Sequence, residues 1–435
     1  MSLPCQVAIT GMGLVSPLGD NLSSFWDEVI AGNSGVRRMS SLPGAVLGAT
    51  YGAEALDFTG QVEDFGELDK KQRRNVKKGL KVMCREIQMG VAAAQKALDH
   101  ANLSVELRDP DRTGVVYGSD YMMTVPEEFF TSMRLCATNG TFDYDRWPEA
   151  GIPKVDPLWL LKYLPNMPAS HIAIFNDLRG PNNSLTLREA AANMAVNEAS
   201  MIIRRGKADV MLAGATGTRV HAFRSIHVAM QETLAGSEEP REAAELCRPF
   251  DHRHDGQVLG EGAGAIVLES LEHARARGAT IYGEVLGYGS SCVYKNGVAD
   301  LEVSLGNAMN QAIARSNLEP NQVGHLHAHG LSTVTCDRAE AAAIRTLFGD
   351  KPPPVAAAKS QLGNLGAAGG ILELIVSVLA LQANRLPAVL NFDAPDPTSP
   401  LVPNTDSNQS PGATFVTAST TPQGQSSAVA VGKLA

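Results

Sequence analysis

The sequence contains few cysteines, and those it contains follow no pattern. Six occur in 435 residues, with no CxxC pair and no regular spacing. Such a distribution is typical of reduced thiols and speaks against a disulfide framework or a zinc site. Also missing are any stretch of eighteen or more uncharged apolar residues and, in residues 1–6, the basic region and apolar core of a signal peptide. We therefore expect a cytoplasmic protein that does not span a membrane.

Basic residues are also fewer than acidic ones, with 37 Lys and Arg against 46 Asp and Glu. The formal net charge is −9 at pH 7, which argues against nucleic acid as a partner, because phosphate neutralisation needs a basic surface. One segment is an exception: residues 70–78 carry six positive charges in nine positions, among them Lys70, Lys71, Arg73 and Arg74. Such a segment suits an acidic partner, and the solvated start of a basic helix explains the pattern equally well.

Hydrophobic patterning predicts a protein that alternates strands and helices. Residues 7–13 have the pattern of a buried strand, 77–100 of a long amphipathic helix, and 113–117 of a second strand. Gly11 and Gly13 match the start of a dinucleotide-binding fingerprint, but the third glycine is missing and Pro17 would break the helix that holds the pyrophosphate. Residues 119–177 are irregular and rich in Phe, Trp and Pro, which suggests loops that cover a pocket.

The remainder of the chain repeats this alternation. A strand at 184–187, an alanine-rich helix at 189–205 and a strand at 209–214 come next, and the small side chains of the helix predict a central position between layers. Strands at 282–287, 325–329 and 355–358 then alternate with helices at 301–316, 337–347 and 371–382, and a hairpin pairs 415–419 with 428–431. The two similar sets suggest a duplicated fold with halves at 1–255 and 256–435.

Several motifs carry a resemblance to a known family. They are Ile-Thr-Gly-Met-Gly-Leu-Val-Ser-Pro-Leu-Gly at 9–19, Arg-Pro-Phe-Asp at 248–251, Gly-Glu-Gly-Ala-Gly at 260–264, and Gly-Leu-Ser-Thr at 330–333 followed by Asp337, Glu340 and Lys359-Ser360. With these motifs along nearly its whole length, the chain resembles the β-ketoacyl-acyl-carrier-protein (ACP) synthases of the elongating type, also called 3-oxoacyl-ACP synthases. The resemblance implies an α/β fold of the thiolase-like, duplicated α/β/α/β/α five-layered kind.

The same resemblance implies partners and a substrate carrier. It predicts a homodimer or a heterodimer, and acyl chains delivered on the phosphopantetheine arm of an acidic acyl carrier protein, with no other cofactor. The basic segment at 70–78 corresponds to a helix that helps to dock this carrier in the family.

The family's catalytic positions are only partly filled. In the family a Cys nucleophile begins the central helix, where the helix dipole and backbone N–H groups lower its pKa, and two His residues drive decarboxylation of malonyl. Counting without gaps from the Gly-Pro pair at 180–181 places Glu189 at the Cys position. The first His corresponds to His329 and the second to Asn364, while Lys359 completes the candidate catalytic set.

The role of Glu189 stays open between two interpretations. A carboxylate at a helix N-terminus is electrostatically favourable and needs no further role, or it serves as an acyl mimic or a base. We expect Glu189 to pair with His329, which would favour the charged imidazolium. His325, His327 and His329 alternate and therefore share one face of the predicted strand. A metal site there is a less favoured alternative, because no carboxylate or Cys ligand pattern accompanies them.

Two further positions depart from the family's pattern. Pro422 stands where the family has the Phe that gates the acyl tunnel and lends an N–H to the oxyanion hole, and proline has no N–H. Leu331 replaces a Thr that hydrogen-bonds pantetheine in the family, whereas Thr333 and Glu340 match.

Three functions fit these observations. The favoured one is a condensation-defective subunit of fatty-acid or polyketide biosynthesis, similar to a chain-length factor, that pairs with a Cys-containing synthase paralogue. The second is a malonyl-ACP decarboxylase, although the charge of Glu189 would repel a malonyl carboxylate. The third is a 3-oxoacyl-ACP synthase or other acyltransferase with a mechanism that needs no Cys.

Overall fold

A computed structural model of the chain describes residues 5–42, 50–236 and 242–434. The strands of its main sheet are β1 (Val7–Val15), β2 (Val36–Arg38), β3 (Tyr51–Ala53), β4 (Thr113–Ser119), β5 (Asn182–Thr186), β6 (Val210–Thr218), β7 (Leu259–Ser270), β8 (Gly283–Cys292), β9 (His325–His327), β10 (Val355–Ala356), β11 (Thr414–Thr420) and β12 (Gln425–Gly432). The helices are α1 (Leu22–Ala31), α2 (Lys70–Gly79), α3 (Arg85–His100), α4 (Glu127–Leu135), α5 (Met167–Asn176), α6 (Ala191–Arg204), α7 (Ala222–Gln231), α8 (Leu271–Ala276), α9 (Leu301–Arg315), α10 (Val334–Phe348), α11 (Lys359–Leu362) and α12 (Gly369–Ala383).

The strand order shows two copies of one five-stranded unit. Along the described sheet the order is β10-β9-β11-β12-β8-β1-β7-β6-β4-β5. In the first unit β4 pairs in parallel with β5 and β6, and β7 pairs antiparallel with β6 and β1. In the second unit β9 pairs in parallel with β10 and β11, and β12 pairs antiparallel with β11 and β8. The same order with the same directions confirms the predicted duplication.

The two units share one continuous sheet because β1 also pairs with β8. Because one sheet joins the two units, strand pairing does not test the predicted domain boundary at residue 255, which stays a prediction. By strand pairing alone, the first unit includes β7, which spans Leu259–Ser270.

Three apolar clusters define five layers. Helices α6 and α12 lie between the two units and share one cluster with β1, β6, β7, β11 and β12. Helix α3 packs on the outer face of the first unit, and α9 and α10 pack on the outer face of the second. The alanines of α6, among them Ala192, Ala195 and Ala199, are fully buried, so the small side chains do mark a central helix. The predicted α/β/α/β/α arrangement is confirmed.

One helix of the described chain is long and apolar enough, by length and composition, to cross a membrane. It covers Gly366–Ala383 and includes α12. Most of this segment is buried within the protein, because it forms half of the central layer between the sheets. Its apolar character on all faces is what a helix enclosed by protein requires.

The prediction of one helix over 77–100 is wrong. The chain forms α2, a 3₁₀ turn at Leu80–Val82 and then α3, with Met83 and Cys84 in extended conformation between them. Asp69 begins α2 because its side chain accepts hydrogen bonds from the first-turn N–H groups. Apolar residues continue at helical spacing across the break because Val76, Met83 and Ile87 all pack into the same core cluster.

The segment 119–177 contains more regular structure than predicted, since α4 and α5 lie within it. None of its residues lines the cavity beside His329 described below. Its aromatic side chains instead contact one another, as in the edge-to-face pair of Phe129 and Trp159.

Candidate functional site

Glu189 lies where the chain enters the central helix. A 3₁₀ turn at Arg188–Ala190 leads into α6, and Arg188 adopts a left-handed conformation with φ of 49°. This turn directs the Glu189 side chain into the protein, where only 2% of it is exposed. The carboxylate is therefore placed in the interior of the molecule and not on a solvated helix end.

Two arginines neutralise this buried carboxylate. Arg219, at the end of β6, donates from Nη2 to Glu189 Oε1, and Arg188 Nε lies 3.4 Å from Oε2. Asn364 Nδ2 donates to the same Oε1 at 3.3 Å. Burial alone would raise the pKa of Glu189, but the two guanidinium groups outweigh it and hold the pKa at about 2.

The ion pair extends into a closed polar network. Arg188 Nη2 donates to Glu232 Oε1 at 2.5 Å, and Gln257 Nε2 donates to Glu232 Oε2 at 2.6 Å. Asn364 Nδ2 donates to Gln257 Oε1 at 2.6 Å and so returns to Glu189. Two cations and two carboxylates thus balance each other, which satisfies the condition under which buried charges are tolerated.

The expected pair of Glu189 with His329 does not form. Among the described residues, His329 Nδ1 has Lys359 Nζ as its side-chain partner at 3.2 Å, and Lys359 also pairs with Glu373. Burial and the Lys359 charge lower the pKa of His329 well below its usual value, although Glu189 opposes them. The imidazole is therefore neutral, and Glu189 pairs with Arg219 instead.

The contact with lysine fixes the tautomer of His329. An ammonium group has donors only, so Nδ1 must accept from Lys359 and the proton resides on Nε2. Within the described residues Nε2 has no hydrogen-bond partner. His329 is thus a buried donor without an acceptor, and it lines a cavity of about 230 Å³.

His325, His327 and His329 do not form a shared metal face. His325 Nε2 and His327 Nδ1 contact the same Ser377 hydroxyl at 3.0 and 2.8 Å, whereas His329 lies beyond the end of β9. In the described part of the chain, no group of three His, Cys, Asp or Glu side chains is placed to hold a metal ion.

Comparison with known proteins decides the family. The model of the β-ketoacyl synthase N-terminal domain matches residues 5–274, and that of the C-terminal domain matches residues 282–393. The chain belongs to the β-ketoacyl synthase family. The 3-oxoacyl-[acyl-carrier-protein] synthase 2 of Staphylococcus aureus (strain MRSA252) is similar to it, with 32% identity over 413 residues, 93% of this chain and 92% of the relative.

Other relatives and solved structures agree. The 3-oxoacyl-[acyl-carrier-protein] synthase 2 of Coxiella burnetii (strain RSA 493 / Nine Mile phase I) is 32% identical over 396 residues, 90% of this chain and 89% of the relative. The ishigamide ketosynthase/chain length factor superposes with a TM-score of 0.83 at 26% identity over 100% of both chains. A β-ketoacyl synthase from Burkholderia phymatum STM815 gives a TM-score of 0.83 at 25% identity, covering 99% of this chain and 100% of the other. The thiolase-like fold of the ketosynthases is thereby shown.

Two buried carboxyl groups hold the turn that follows β9. Glu340 accepts from the backbone N–H groups of His329 and Gly330 at 2.7 and 2.8 Å, and Asp337 accepts from those of Leu331 and Ser332. Burial raises the pKa of Glu340 to about 8. These carboxyl groups position the turn that carries His329 and do not reach the cavity themselves.

Leu331, Thr333 and Pro422 meet at the cavity beside His329. Pro422 is the second residue of a tight turn at 421–424, which Gly424 N–H closes by donating to Thr421 O at 2.9 Å. In the same hairpin, Thr421 N–H donates to Gln425 O at 2.9 Å. The N–H of Thr421 is therefore already used, and Pro422 has none. No backbone donor remains at the position where the family pattern places one.

No residue of the predicted basic patch lines this cavity. Lys70, Lys71, Arg73 and Arg74 all lie on α2 and are exposed, and Arg73 pairs with Glu63. The basic segment therefore forms a helix, and its charged side chains are exposed to solvent. This arrangement is compatible both with a docking surface and with an ordinary solvated helix.

Sequence reasoning missed four members of the polar network: Arg188, Arg219, Glu232 and Gln257. Arg219 had a readable signal, because a charged residue directly after a buried strand of an α/β sheet lies where such folds place functional groups. Arg188 adjoins Glu189 in sequence. Glu232 and Gln257 follow no local pattern, and only the tertiary structure brings them to the site.

Proposed function

We propose that this chain is a condensation-defective subunit, similar to a chain-length factor, that pairs with a Cys-containing synthase paralogue in fatty-acid or polyketide biosynthesis. The observation that carries the proposal is the buried pairing of Glu189 with Arg219 at the family's Cys position. A carboxylate held this way, with its pKa near 2, is a poor base and a weak nucleophile towards a thioester.

No other thiol takes over the role of nucleophile in the described chain. Cys336 is the cysteine that lines the cavity. Burial and the neighbouring Glu340 and Asp337 raise its pKa well above the usual value, so it stays a thiol, and the thiolate is the reactive form. Cys247, also buried, has its pKa raised to about 12.

A partner subunit needs an interaction surface, and this chain offers one. Strand β5 ends the sheet, and Asn182 and Asn183 on it are exposed. Large apolar side chains are also exposed on α4 and α7; they are Phe130, Met133, Phe223, Ile226 and Met230. An open sheet edge is typical of a surface that another chain covers, and so are exposed large apolar side chains.

The structural neighbours support the same partner class. The ishigamide protein is described as a ketosynthase/chain length factor, and it superposes over its full length. This chain has the fold and an open sheet edge but no Cys at the nucleophile position. A non-condensing partner subunit needs the fold and an interaction surface and does not need the Cys. The exposed basic helix α2 then supplies a surface for an acidic acyl carrier protein.

One observation favours a second candidate, decarboxylation of malonyl-ACP. His329 keeps an unpartnered Nε2 at the cavity, and such a donor could receive the enolate oxygen formed on loss of CO₂. Against it, the second His is Asn364, which donates a hydrogen bond but does not shuttle a proton.

Reconstitution with a Cys-containing paralogue tests the proposal. Co-expressed chains should co-purify as a 1:1 complex by light scattering, and only the complex should elongate acyl-ACP. Replacing the paralogue's nucleophilic Cys by Ala should abolish elongation, whereas Glu189→Gln in this chain should leave it. Elongation that persists with the Cys-less paralogue would contradict the proposal.

A pair of matched surface variants locates the interface. Met230→Glu adds a charge to the exposed apolar face of α7, and we expect pairing to weaken about tenfold or more. Val298→Glu changes a similarly exposed apolar side chain in the short hairpin that follows β8 and should leave pairing unchanged. Equal effects of the two variants would argue against this face.

A further inference from the structure

The donors around Glu189 converge on one point of the interior. Arg219 Nη2 and Asn364 Nδ2 both donate to Oε1, and Arg188 Nε approaches Oε2 at 3.4 Å. A planar carboxylate facing two guanidinium groups and an amide is the arrangement that proteins use to recognise carboxylate ligands. Here the carboxylate belongs to the protein itself.

The Glu189 side chain uses only part of this donor set. Arg219 Nε and His329 Nε2 have no hydrogen-bond partner among the described residues. Arg188 Nε and Glu189 Oε2 lie 3.4 Å apart as an ion pair but form no hydrogen bond. All of these atoms are buried. Buried polar atoms without hydrogen-bond partners need an explanation, and here the Glu189 carboxylate does not meet every donor that faces it.

We propose that Arg188, Arg219 and Asn364 form a binding site for a small carboxylate, and that Glu189 is the intramolecular ligand that occupies it. Removal of the Glu189 side chain opens the site to an external carboxylate such as acetate or formate. In the intact chain the Glu189 carboxylate takes the place of such a ligand.

The charges around the site set its preference. Arg188 and Arg219 are balanced by Glu189 and Glu232. Without Glu189 one positive charge remains uncompensated in the interior, and a single monoanion neutralises it. The site should therefore prefer acetate and formate to sulfate, whose second charge would again be unpaired.

This arrangement has a consequence that rests on the proposed function. The malonyl group of an extender unit carries one free carboxylate. A self-occupied carboxylate site keeps that group out of the non-condensing subunit, which leaves the extender unit for the Cys-containing partner. Glu189 then acts as a built-in competitor and not merely as a replaced nucleophile.

The test compares Glu189→Ala with the wild type and with Glu189→Ala/Arg219→Met. Thermal unfolding is followed in sodium acetate and in sodium chloride of equal ionic strength. At acetate about 100-fold above its Kd, the Tm of Glu189→Ala should rise by roughly 3 °C for a chain of this length. The wild type and the double variant should show no acetate-specific rise, and sulfate should have no such effect on any of the three.

Either of two results would overturn the inference: no acetate-specific rise in Glu189→Ala, or an equal rise in the wild type or the double variant. Should Glu189→Ala fail to fold in chloride, its refolding yield in acetate decides instead. Recovery in acetate supports the site, and failure in both salts while the double variant folds contradicts it. Condensation by the wild-type chain would contradict the proposed function and leave the acetate result standing.

Discussion

At Glu189, burial and charge oppose each other. A carboxylate in the interior would ordinarily be protonated, but Arg219 and Arg188 hold the pKa of Glu189 at about 2. The sequence predicted a charged residue at a helix N-terminus, and the helix position was correct. The prediction that Glu189 pairs with His329 was wrong, because the carboxylate pairs with Arg219, thirty residues further along the chain.

The lowered pKa predicts how Glu189 affects stability at different pH values. Because its folded pKa lies below its ordinary value of 4.5, the ionised group stabilises the fold above about pH 4.5, by about 3 kcal/mol. This contribution is lost as the pH falls through 4.5 towards 2. Urea unfolding should show wild type more stable than Glu189→Gln at pH 7 by a margin that shrinks at pH 3. A margin that does not depend on pH would contradict the ion pair.

Restoring the family's nucleophile should not restore its chemistry. Glu189→Cys alone should leave condensation undetectable, because Pro422 still lacks an N–H and Asn364 still replaces the second His. One lost oxyanion donor typically costs about a hundredfold to a thousandfold in rate. Intact-protein mass spectrometry of the carrier would detect an elongated 3-oxoacyl-ACP. Its formation by the single variant would show that Pro422 and Asn364 do not disable the site.

The close contact between strand β1 and helix α3 explains Gly11 and Gly13 in the motif at 9–19. A Cβ on Gly13 would lie 2.3 Å from Ala93 O and 2.4 Å from Ala97 N. The glycine thus permits backbone contact between a strand and a helix, a role unrelated to nucleotide binding. This reason could not be read from the sequence, because it depends on how far α3 approaches the sheet.

A matched pair of glycine variants tests that contact. Gly13→Ala should destabilise the fold by roughly 3 kcal/mol, because backbone atoms on both sides have to move. Gly306→Ala lies in helix α9, where the nearest atom is Ala343 Cβ at 4.0 Å, and should stabilise by about 0.5–1 kcal/mol. Denaturant unfolding measures both. Similar effects of the two substitutions would contradict this explanation.

The exposed basic side chains of helix α2 are candidates for contact with an acidic carrier protein. If the helix docks an acidic acyl carrier protein, the triple variant Lys70→Glu/Lys71→Glu/Arg74→Glu should weaken carrier binding at least about tenfold, and the loss should be smaller at high salt. The single variant Lys295→Glu, at an exposed lysine elsewhere on the chain, is the control. Binding measured by calorimetry that is unaffected by the triple variant would favour a merely solvated helix.

Across the full chain, alternating apolar segments and an alanine-rich helix predicted the duplication and the central helix, because both patterns depend on the local sequence. The five layers were implied by the resemblance to the synthases. The sequence did not predict the break before α3, since Val76, Met83 and Ile87 enter one cluster on both sides of the break. Nor did it predict the network around Glu189. Its members come from the turn before α6 and from the segments that follow β6, follow α7, precede β7 and join α11 to α12, and only the assembled fold brings them together.

An assay of the purified chain without any partner shows directly whether it condenses. The chain is incubated with malonyl-ACP and a primed acyl-ACP, and the carrier species are read by intact-protein mass spectrometry, with buffer and a Cys-containing synthase as controls. A condensation-defective subunit should leave both carriers unchanged. Conversion of malonyl-ACP to acetyl-ACP would show a decarboxylase instead, and an elongated 3-oxoacyl-ACP would contradict the account outright.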